Sequence, residues 1–412
     1  MNTDRQSLQR EFLAREGWSD AIVTPLPGDA STRRYARLTH GARRALLMDQ
    51  PQGAETPTAP EGAGEAERRA LGYNAVARLA GADIGRFAAV ARHLKSAGLS
   101  APEVYAADNK TGFMVLEDLG DGLFADVVGT SGDERALYLN AMEVLARLHA
   151  QDAPRFLPPP VFAGPGARSA PEFQLARDAR PRASYDHLPH QRADARAGEE
   201  MEAKPLFLYD EPALLAETDL LPEWYFPHAL GRSATADEIT EHRALWQKVL
   251  APVLASPRTF VHRDYHAQNL LWLPEREGAA RTGLIDFQDA VAGSRAYDLV
   301  SLLEDARRDV DPAVAAMATA HYLDAMEAQG TKLDREGFAA EMAAMAAQRN
   351  AKIVGIFARL FRRDGKPRYL ALLPRVWGHL TRDLSHPSMA PLRAWYDRAI
   401  PHDIRFAGKD AP

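Results

Sequence analysis

Three oxygen-bearing side chains, Asp264, Asn269 and Asp286, lie at spacings that suit the transfer of a phosphoryl group. In such a reaction an Asp carboxylate accepts the proton of the attacking hydroxyl, and oxygen ligands hold Mg²⁺ against the phosphates of ATP. Mg²⁺ usually takes only one or two carboxylates, and phosphates and water complete its shell. The sequence therefore predicts Asp264 as the catalytic base and Asn269 and Asp286 as the metal ligands.

The residues around this trio predict a local structure that would bring it together. Residues 270–273 and 282–285 are short apolar segments separated by a turn-like stretch, so we expect an antiparallel hairpin. In such a hairpin the start of the first strand lies beside the end of the second, which places Asn269 and Asp286 at the same end. The alternative is a surface loop in which these side chains only cap turns.

The composition restricts the class of protein. The chain has 412 residues, 46% of them hydrophobic and 26% charged, as in globular proteins with one large or two medium domains. A net charge of −6 argues against a nucleic-acid-binding surface, and the lack of cysteine excludes disulfides and thiolate chemistry. No apolar run approaches the length of a membrane span, and residues 1–10 are too polar for a signal peptide. We therefore expect a cytoplasmic protein with access to ATP.

The segment 27–38 is predicted to form a strand, a tight turn and a second strand. Small residues with hydroxyl groups, here Ser31 and Thr32, let the backbone N–H groups of such a turn approach phosphate oxygens. We therefore predict that Ser31 and Thr32 contact the nucleotide. An ordinary hairpin turn is the alternative, since a Gly-Asp pair is common in turns without any ligand.

The next predicted strand, residues 44–49, lacks the lysine that commonly binds phosphates. Kinase folds carry that lysine on the corresponding strand, whereas Met48 and Asp49 stand at this point here. We predict that Arg33 or Arg34 supplies the missing positive charge and that Met48 lines the nucleotide site. The alternative is that both arginines are solvated or paired on the surface.

A hinge between two lobes is predicted where an apolar strand, residues 112–118, turns acidic. In a kinase-like arrangement the backbone of this hinge would meet the adenine ring, so Glu117 and Leu119 are predicted nucleotide contacts. The hinge divides the chain into a nucleotide-binding lobe, residues 1–118, and a catalytic and substrate-binding lobe, residues 119–412.

Apolar residues at helical spacing predict a mainly helical second half and a few helices before it. The predicted helices cover residues 4–16, 65–80, 87–97, 134–150, 210–226, 238–254, 312–328, 335–363 and 368–384, with another beginning at Ala296. Residues 51–64 are typical of a linker or mobile loop, and residues 155–205 are typical of an insertion that is either a lid or an inert loop.

Substrate contacts are predicted on two of these helices. Glu217, Trp224 and Tyr225 follow one another on the 210–226 helix, and a carboxylate beside aromatic rings suits a polyhydroxylated ligand. Core residues at helical spacing are the alternative for the aromatic pair. Arg349 lies on the apolar face of the 335–363 helix, where a charged residue is either paired internally or faces a cleft.

Three residues are predicted to support the catalytic loop without reacting. Asp298 is predicted to brace the loop by pairing with Arg263, and His262 completes the loop pattern. Alternatively, Asp298 is only an acidic residue near the start of a helix, a position that the helix dipole favours.

Several stretches together resemble the aminoglycoside phosphotransferase superfamily, a small-molecule branch of the kinase fold. They read Val-His-Arg-Asp-Tyr-His-x-x-Asn-Leu from Val261, Gly-Leu-Ile-Asp-Phe-Gln-Asp-Ala from Gly283 and Tyr-Asp-Leu-Val-Ser-Leu-Leu from Tyr297. Two more, Asp-Ala-Ser-Thr-Arg-Arg-Tyr from Asp29 and Leu-Glu-Asp-Leu-Gly-Asp from Leu116, are similar to the anomeric N-acetylmuramate and N-acetylglucosamine kinases of cell-wall recycling. The missing strand lysine fits that branch.

The resemblance implies an α+β, two-lobed kinase-like fold with a small antiparallel-sheet N-lobe and a larger, mainly helical C-lobe. It implies ATP and Mg²⁺ as cofactors, phosphorylation of an anomeric hydroxyl to a sugar 1-phosphate in peptidoglycan recycling, and His266 as a substrate contact. Residues 52–86 and 155–205 lie outside the resemblance as insertions, which leaves the exact sugar and anomer open. We expect a monomer that binds a small sugar and neither nucleic acid nor membrane.

Three other functions compete with this prediction. A kinase for an aminoglycoside or an amino alcohol would want a strongly acidic cleft for its cationic substrate, and the chain is only mildly acidic. A protein kinase would carry a Gly after Asp286-Phe287 and an Ala-Pro-Glu motif downstream, and neither is present. A nucleotide-binding regulator without turnover is compatible with the missing lysine, but it has no need for Asp264, Asn269 and Asp286 together.

Overall fold

The computed structural model describes residues 3–27, 32–53, 55–130, 132–159 and 202–406. Ser31 and most of the predicted 155–205 insertion lie outside these ranges. Within them the fold has two parts, an N-lobe built on a small sheet and a C-lobe built mainly of helices. This architecture confirms the predicted α+β, two-lobed, kinase-like fold.

The N-lobe is a five-stranded antiparallel sheet in the order β1-β2-β3-β5-β4, with helices on its faces. Its elements are α1 (Thr3–Arg15), β1 (Ile22–Pro25), β2 (Arg34–His40), β3 (Arg43–Asp49), α2 (Glu65–Leu71), α3 (Tyr73–Val76), α4 (Ile84–Ser96), β4 (Val104–Asp108) and β5 (Phe113–Leu116). Successive residues of β3 point to opposite faces. Leu47 therefore packs with Phe12 of α1, whereas Met48 joins the core shared with α4 and the C-lobe.

Two N-lobe elements differ from the prediction. The helix predicted over residues 65–80 is broken after α2 by Gly72, whose φ of 102° lies outside the helical range and favours glycine. The first strand before the phosphate turn lies earlier than predicted, because β1 ends at Pro25 and only β2 falls within the predicted segment 27–38.

The C-lobe helices surround the long helix α11, which contacts α7, α9, α12 and a π-helix. The helices are α5 (Phe124–Val127), α6 (Glu134–His149), α7 (Glu211–Thr218), the π-helix (Leu221–Leu230), α8 (Ala236–Ala255), α9 (Ala296–Leu303), α10 (Pro312–Ala328), α11 (Arg335–Arg362), α12 (Leu373–Asp383), α13 (Ala390–Ala399) and α14 (His402–Arg405), with 3₁₀ turns at Gly278–Arg281, Pro367–Leu372 and Pro387–Met389. Across the described ranges, the helices lack the combination of length and apolar character that crossing a membrane requires.

Several helices depart from the sequence prediction in this lobe, and the predicted 210–226 helix is α7 followed by the π-helix. The helix predicted over residues 368–384 starts with a 3₁₀ turn and becomes α-helical only at α12. The sequence did not predict α13, in which Leu392, Trp395 and Tyr396 are buried. Ten residues that begin with Ala-Pro offer too short a periodic pattern for a confident assignment.

Short two-stranded ribbons hold the catalytic segments between the helices. They pair β6 (Phe156–Leu157) with β7 (Lys204–Pro205), β8 (Thr259–Val261) with β11 (Val291–Gly293), and β9 (Leu270–Trp272) with β10 (Thr282–Leu284). The β9–β10 hairpin is bonded to the hinge, because the Trp272 N–H donates to the Gly122 carbonyl at 2.7 Å. It is also bonded to the N-lobe, because the Leu284 N–H donates to the Ser100 carbonyl at 2.7 Å.

The stretch predicted as a linker and insertion joins the two lobes a second time. Arg68 of α2 forms an ion pair with Asp210 at 2.6 Å, and the Ala80 N–H donates to the carboxylate of Asp289. The segment also has a small core of its own, made of Ala59, Ala63 and Ala75. The predicted linker is therefore a packed connection that reaches the loop following Asp286.

Candidate active site

The predicted hairpin is confirmed, and it brings the two predicted metal ligands to one place. β9 and β10 are antiparallel with Leu270 opposite Leu284, and the Ile285 N–H donates to the Asn269 carbonyl at 3.2 Å. Asn269 thus stands at the start of β9, beside the end of β10 from which Asp286 follows. The spacing of the two residues in the sequence is explained by this register.

The catalytic loop fixes the orientation of the Asn269 carboxamide. Its Nδ2 donates to the backbone carbonyl of Asp264 at 3.0 Å, and the same carbonyl accepts from the His266 N–H at 3.0 Å. Because a carbonyl can only accept, the amide nitrogen of Asn269 must face it. The carboxamide oxygen of Asn269 is thereby left for another partner, as a metal ligand must be.

Asp286 and Arg263 both adopt a backbone conformation that side chains other than glycine rarely take. Their φ angles are 59° and 79°, in the left-handed region that costs roughly 1–3 kcal/mol for such residues. Residues held this way cluster at functional sites, because the surrounding contacts must over-determine them. The two positions flank the hairpin end that carries the predicted ligands.

The charge around Asp286 suits a divalent cation. Its carboxylate accepts from Arg33 Nη1 at 3.1 Å and from Gln288 Nε2 at 3.0 Å. The side chain of Asp286 is 45% exposed, and its carboxylate lies where Arg33 of the N-lobe meets the C-lobe. Burial raises the pKa of Asp286. The positive charge of Arg33 opposes this rise, and the negative charge of the nearby Asp264 adds to it. A cation bound at this carboxylate would relieve that repulsion.

The available ligands fit Mg²⁺ shared with a nucleotide. They are one carboxylate and one carboxamide oxygen, and Mg²⁺ commonly binds through one or two carboxylates together with substrate phosphates. In the part of the chain that the structure describes, no group of three or more His, Asp or Glu side chains is placed to hold a metal alone. The residues present therefore match an ion that arrives with phosphates rather than one caged by the protein.

Asp298 braces the catalytic loop, but by a different contact from the predicted pairing with the Arg263 side chain. Its carboxylate is fully buried and accepts from the backbone N–H groups of His262 at 2.7 Å and Arg263 at 2.9 Å. Burial raises the pKa of Asp298 to about 7, although both hydrogen bonds favour the charged form. The His262 ring packs edge-on against Tyr265 and Phe287 and remains neutral, since burial lowers its pKa to about 4.

The Arg263 guanidinium instead pairs with Glu217 in a buried cluster. Glu217 also accepts from Lys352 at 2.9 Å and from Gln348 at 3.0 Å, and it has no exposed surface. Burial alone would raise the pKa of Glu217, but Lys352 and Arg263 outweigh burial and lower the pKa to about 2. The predicted sugar contact of Glu217 is therefore corrected: this carboxylate anchors the residue before Asp264 and has no surface left for a ligand.

The aromatic pair predicted beside Glu217 lies on the π-helix. Tyr225 is 2% exposed, its hydroxyl donates to the Ile404 carbonyl at 3.1 Å, and its ring packs on Trp377. Tyr225 is thus a core residue, and its predicted contact with a sugar is corrected as well. Trp224 is half-buried and packs against the same core, and its predicted contact with a sugar stays a prediction.

Arg33 is the arginine of the predicted pair that reaches Asp286, one of the predicted metal ligands. Its side chain is 9% exposed and contacts Asp286, whereas Arg34 is exposed on β2 opposite Asp49. Beside Arg33, the Thr32 hydroxyl donates to Glu55 at 2.6 Å and accepts from Gln50 at 3.1 Å. The positive charge that the strand lacks is therefore available at the end of the hairpin that carries the predicted metal ligands.

The remaining predicted nucleotide contacts lie around the hinge and β3. Met48 is buried, with its sulfur 3.5 Å from the Tyr35 hydroxyl. The Glu117 carboxylate accepts from Arg276 and from the Glu103 N–H, each at 3.0 Å, so its side chain stabilises the hinge. Leu119 packs beside Gly283 of the hairpin.

The predicted substrate contacts His266 and Arg349 lie next to the catalytic loop. His266 Nε2 is 3.4 Å from Asn269 Nδ2 and 3.5 Å from Arg307 Nη1. Burial and the adjacent Arg307 lower the pKa of His266 to about 3, so the ring is neutral. Arg349 is 5% exposed and donates to the Glu304 carbonyl at 3.3 Å.

Sequence reasoning missed Lys352 and Arg307. Lys352 follows Arg349 by three residues on α11, a spacing that places both on one face and would have signalled a common environment. Arg307 lies in irregular chain after α9, where no periodic pattern points to a site.

This arrangement is that of the kinase-like phosphotransferases, enzymes that move a phosphoryl group onto a hydroxyl acceptor. Residues 22–336 match the model of the phosphotransferase enzyme family, and the chain belongs to that family. It is 40% identical to an N-acetylmuramate/N-acetylglucosamine kinase of Caulobacter vibrioides, covering 98% of this chain and 99% of that protein. It is 29% identical to a kinase of the same name from Pseudomonas aeruginosa, covering 93% and 90%.

Solved structures support the fold alone. A choline kinase from Streptococcus pneumoniae has a TM-score of 0.53 at 13% identity, covering 92% of this chain and all of that one. A microcompartment-associated aminopropanol kinase has a TM-score of 0.53 at 13% identity, covering 94% and 99%. At these identities the shared feature is the two-lobed architecture, and the substrate must be argued from the site.

Proposed function

We propose that this protein is an ATP- and Mg²⁺-dependent kinase that phosphorylates the anomeric hydroxyl of N-acetylmuramate and N-acetylglucosamine. The products are the sugar 1-phosphates, and the proposed role is cell-wall recycling in the cytoplasm. The near full-length similarity to kinases named for these two sugars supports the substrate. The observation that carries the chemistry is the hairpin register, which sets Asn269 beside the strand end leading to Asp286, just after the loop of Asp264.

Asp264 takes the proton of the sugar hydroxyl as that oxygen attacks the γ-phosphoryl group, the bond from the γ-phosphorus to the bridging oxygen breaks, and ADP leaves. Its side chain is partly exposed, while its carbonyl is held by the His266 N–H and the Asn269 carboxamide. A fixed backbone with an accessible carboxylate keeps the base in hydrogen-bonding reach of an incoming hydroxyl, which is the first requirement for general-base catalysis.

The nucleotide side is held by Asn269, Asp286 and Arg33. Asn269 through its amide oxygen and Asp286 through its carboxylate would bind Mg²⁺, which when present neutralises the charge of the phosphates. Arg33 adds a fixed positive charge at Asp286. It takes the place of the lysine that β3 lacks, so phosphate binding does not depend on that strand.

The acceptor side disfavours a cationic substrate. Arg307 and Arg349 both act on the His266 ring beside the catalytic loop, and a choline, aminopropanol or aminoglycoside amine would be repelled there. A neutral or acidic amino sugar has no such penalty. This local charge argues against the competing amino-alcohol and aminoglycoside kinase functions.

The test is an ADP-release assay with purified protein, ATP and MgCl₂ over four acceptors: N-acetylglucosamine, N-acetylmuramate, choline and an aminoglycoside. We expect turnover with the two amino sugars only, and NMR of the products should show a phosphate coupled to the anomeric proton. Turnover confined to the amines, or a phosphate on any other oxygen, would contradict the proposal. Absence of ADP release with all four would favour the non-catalytic regulator.

A further inference from the structure

A basic corner, formed by Arg307, Arg349 and His266, lies beside the proposed catalytic loop. Arg307 Nη1 is 3.5 Å from His266 Nε2, and the same ring nitrogen is 3.4 Å from the Asn269 carboxamide. Asn269 in turn is bonded to the Asp264 carbonyl at 3.0 Å. By these side-chain contacts Arg307 is separated from the proposed metal ligand Asn269 by one side chain, and from the backbone of the proposed base Asp264 by two.

The two guanidinium groups of the basic corner lack the ion pairs that neighbouring arginines make. Within the described residues, the side-chain partner of Arg307 is the His266 ring and that of Arg349 is the Glu304 carbonyl, and no carboxylate lies within 4.0 Å of either. By contrast, Arg308 pairs with Glu134 at 2.8 Å. Other arginines on this side of the lobe pair in the same way: Arg375 with Asp309 and Arg382 with Glu304.

Asp305 lies two positions before Arg307, and within the described residues it forms no ion pair with the Arg307 guanidinium. Asp305 is 1% exposed and accepts from the Arg307 backbone N–H at 2.8 Å, which fixes the loop that carries Arg307. Its other carboxylate oxygen is buried without a hydrogen-bond partner in the described chain. The guanidinium groups of Arg307 and Arg349 therefore bring two positive charges beside the loop, and Asp305 contacts Arg307 through its backbone rather than through its guanidinium.

We infer that Arg307 binds a carboxylate of the acceptor and so sets how the enzyme ranks acidic against neutral amino sugars. This inference rests on the proposed function. N-acetylmuramate differs from N-acetylglucosamine only by a lactyl ether, whose carboxylate is its one charge. A half-buried guanidinium without a carboxylate partner suits this lactyl carboxylate, because its planar fork can donate two charge-assisted hydrogen bonds to the two oxygens.

The test compares kcat/KM for the two sugars in wild type, Arg307→Met, Arg307→Lys and Arg308→Met. The Arg307→Met variant should lose about 10- to 100-fold in kcat/KM for N-acetylmuramate through a higher KM, as loss of a charged hydrogen bond does. Its kcat/KM for N-acetylglucosamine should stay within about twofold, because that sugar has no carboxylate to lose. The Arg307→Lys variant should recover part of the loss, since lysine keeps the charge without the planar fork.

The Arg308→Met variant is the matched control, because it removes an adjacent arginine that already forms an ion pair with Glu134 of α6. Its ratio of kcat/KM between the two sugars should equal that of the wild type. An equal loss for both sugars in Arg307→Met would show a merely structural role and overturn the inference, as would an unchanged N-acetylmuramate reaction. A wild type that turns over neither sugar would overturn the proposed function first, and this inference with it.

Discussion

Replacing Glu217 by Gln tests whether a buried ion cluster holds the catalytic loop. Glu217 is a fully buried carboxylate that pairs with two cations, Arg263 at 1% and Lys352 at 13% side-chain exposure. The change keeps the size of the side chain and removes its charge. Arg263 and Lys352 would then face each other as like charges in the interior, next to the backbone of Asp264.

The expected loss follows from this geometry. Breaking a buried ion pair by removing one partner costs about 3–5 kcal/mol of unfolding free energy, because the remaining charge is left without compensation. Two cations are left here, so we expect the upper part of that range. If Arg263 shifts by about 1 Å, the base beside it is misplaced, and kcat should fall by up to about 100-fold while the KM for ATP changes little.

The free energy of unfolding is measured by urea titration followed by circular dichroism, and kcat by ADP release at saturating substrate. Glu241→Gln is the control, since Glu241 is half-exposed in its pair with Arg398 and its loss should cost less than about 0.5 kcal/mol. A Glu217→Gln protein that is destabilised by less than about 1 kcal/mol, with wild-type kcat, would refute the reasoning that this cluster positions the loop.

Other predictions concern the site itself. Asp264→Asn should lower kcat by about 10²-fold or more while ATP affinity, measured by calorimetry, stays within about twofold. Arg33→Ala should weaken ATP binding by about tenfold, as loss of a charged hydrogen bond does, whereas the exposed Arg34→Ala should not; equal affinities in both variants would exclude Arg33 as the replacement for the lysine. Because burial raises the pKa of Asp298 from 3.8 to about 7, its protonated form is favoured by folding, and this stabilisation is lost as pH rises through that window. The Asp298→Asn side chain does not titrate in this range. In urea unfolding, the difference in unfolding free energy between wild type and variant should therefore shrink from pH 5 to pH 8. A difference that grows with pH would contradict the assignment.

The sequence predicted the parts of the site that depend on neighbouring residues. The β9–β10 hairpin could be read from two short apolar segments and a turn, and its register then required Asn269 and Asp286 to lie at one end. The helices with long periodic patterns were predicted closely, and α10 has the predicted bounds. In each case the information lies within about 30 residues, the range over which pairing and periodicity act.

Long-range partners were beyond the sequence. Glu217 looked like a ligand contact because it precedes aromatic residues, yet its partner Arg263 lies 46 positions away. Arg33 and Asp286 are 253 positions apart, and the sequence alone offered Arg34 as an equal candidate. A charged residue in a helical pattern does not reveal whether a distant counter-charge or a ligand will meet it.

The long-range contacts explain why the catalytic loop can hold an unfavourable backbone. Arg263 has a φ of 79°, a conformation that only strong surrounding contacts can maintain. Asp298 binds its backbone N–H, Glu217 binds its guanidinium, and the Arg78 carbonyl of the N-lobe connection accepts from its Nη1 at 3.4 Å. Three separate parts of the chain therefore meet on the residue before Asp264. Because one of them comes from the N-lobe, a change in the relative position of the lobes acts directly on the residue next to the proposed base.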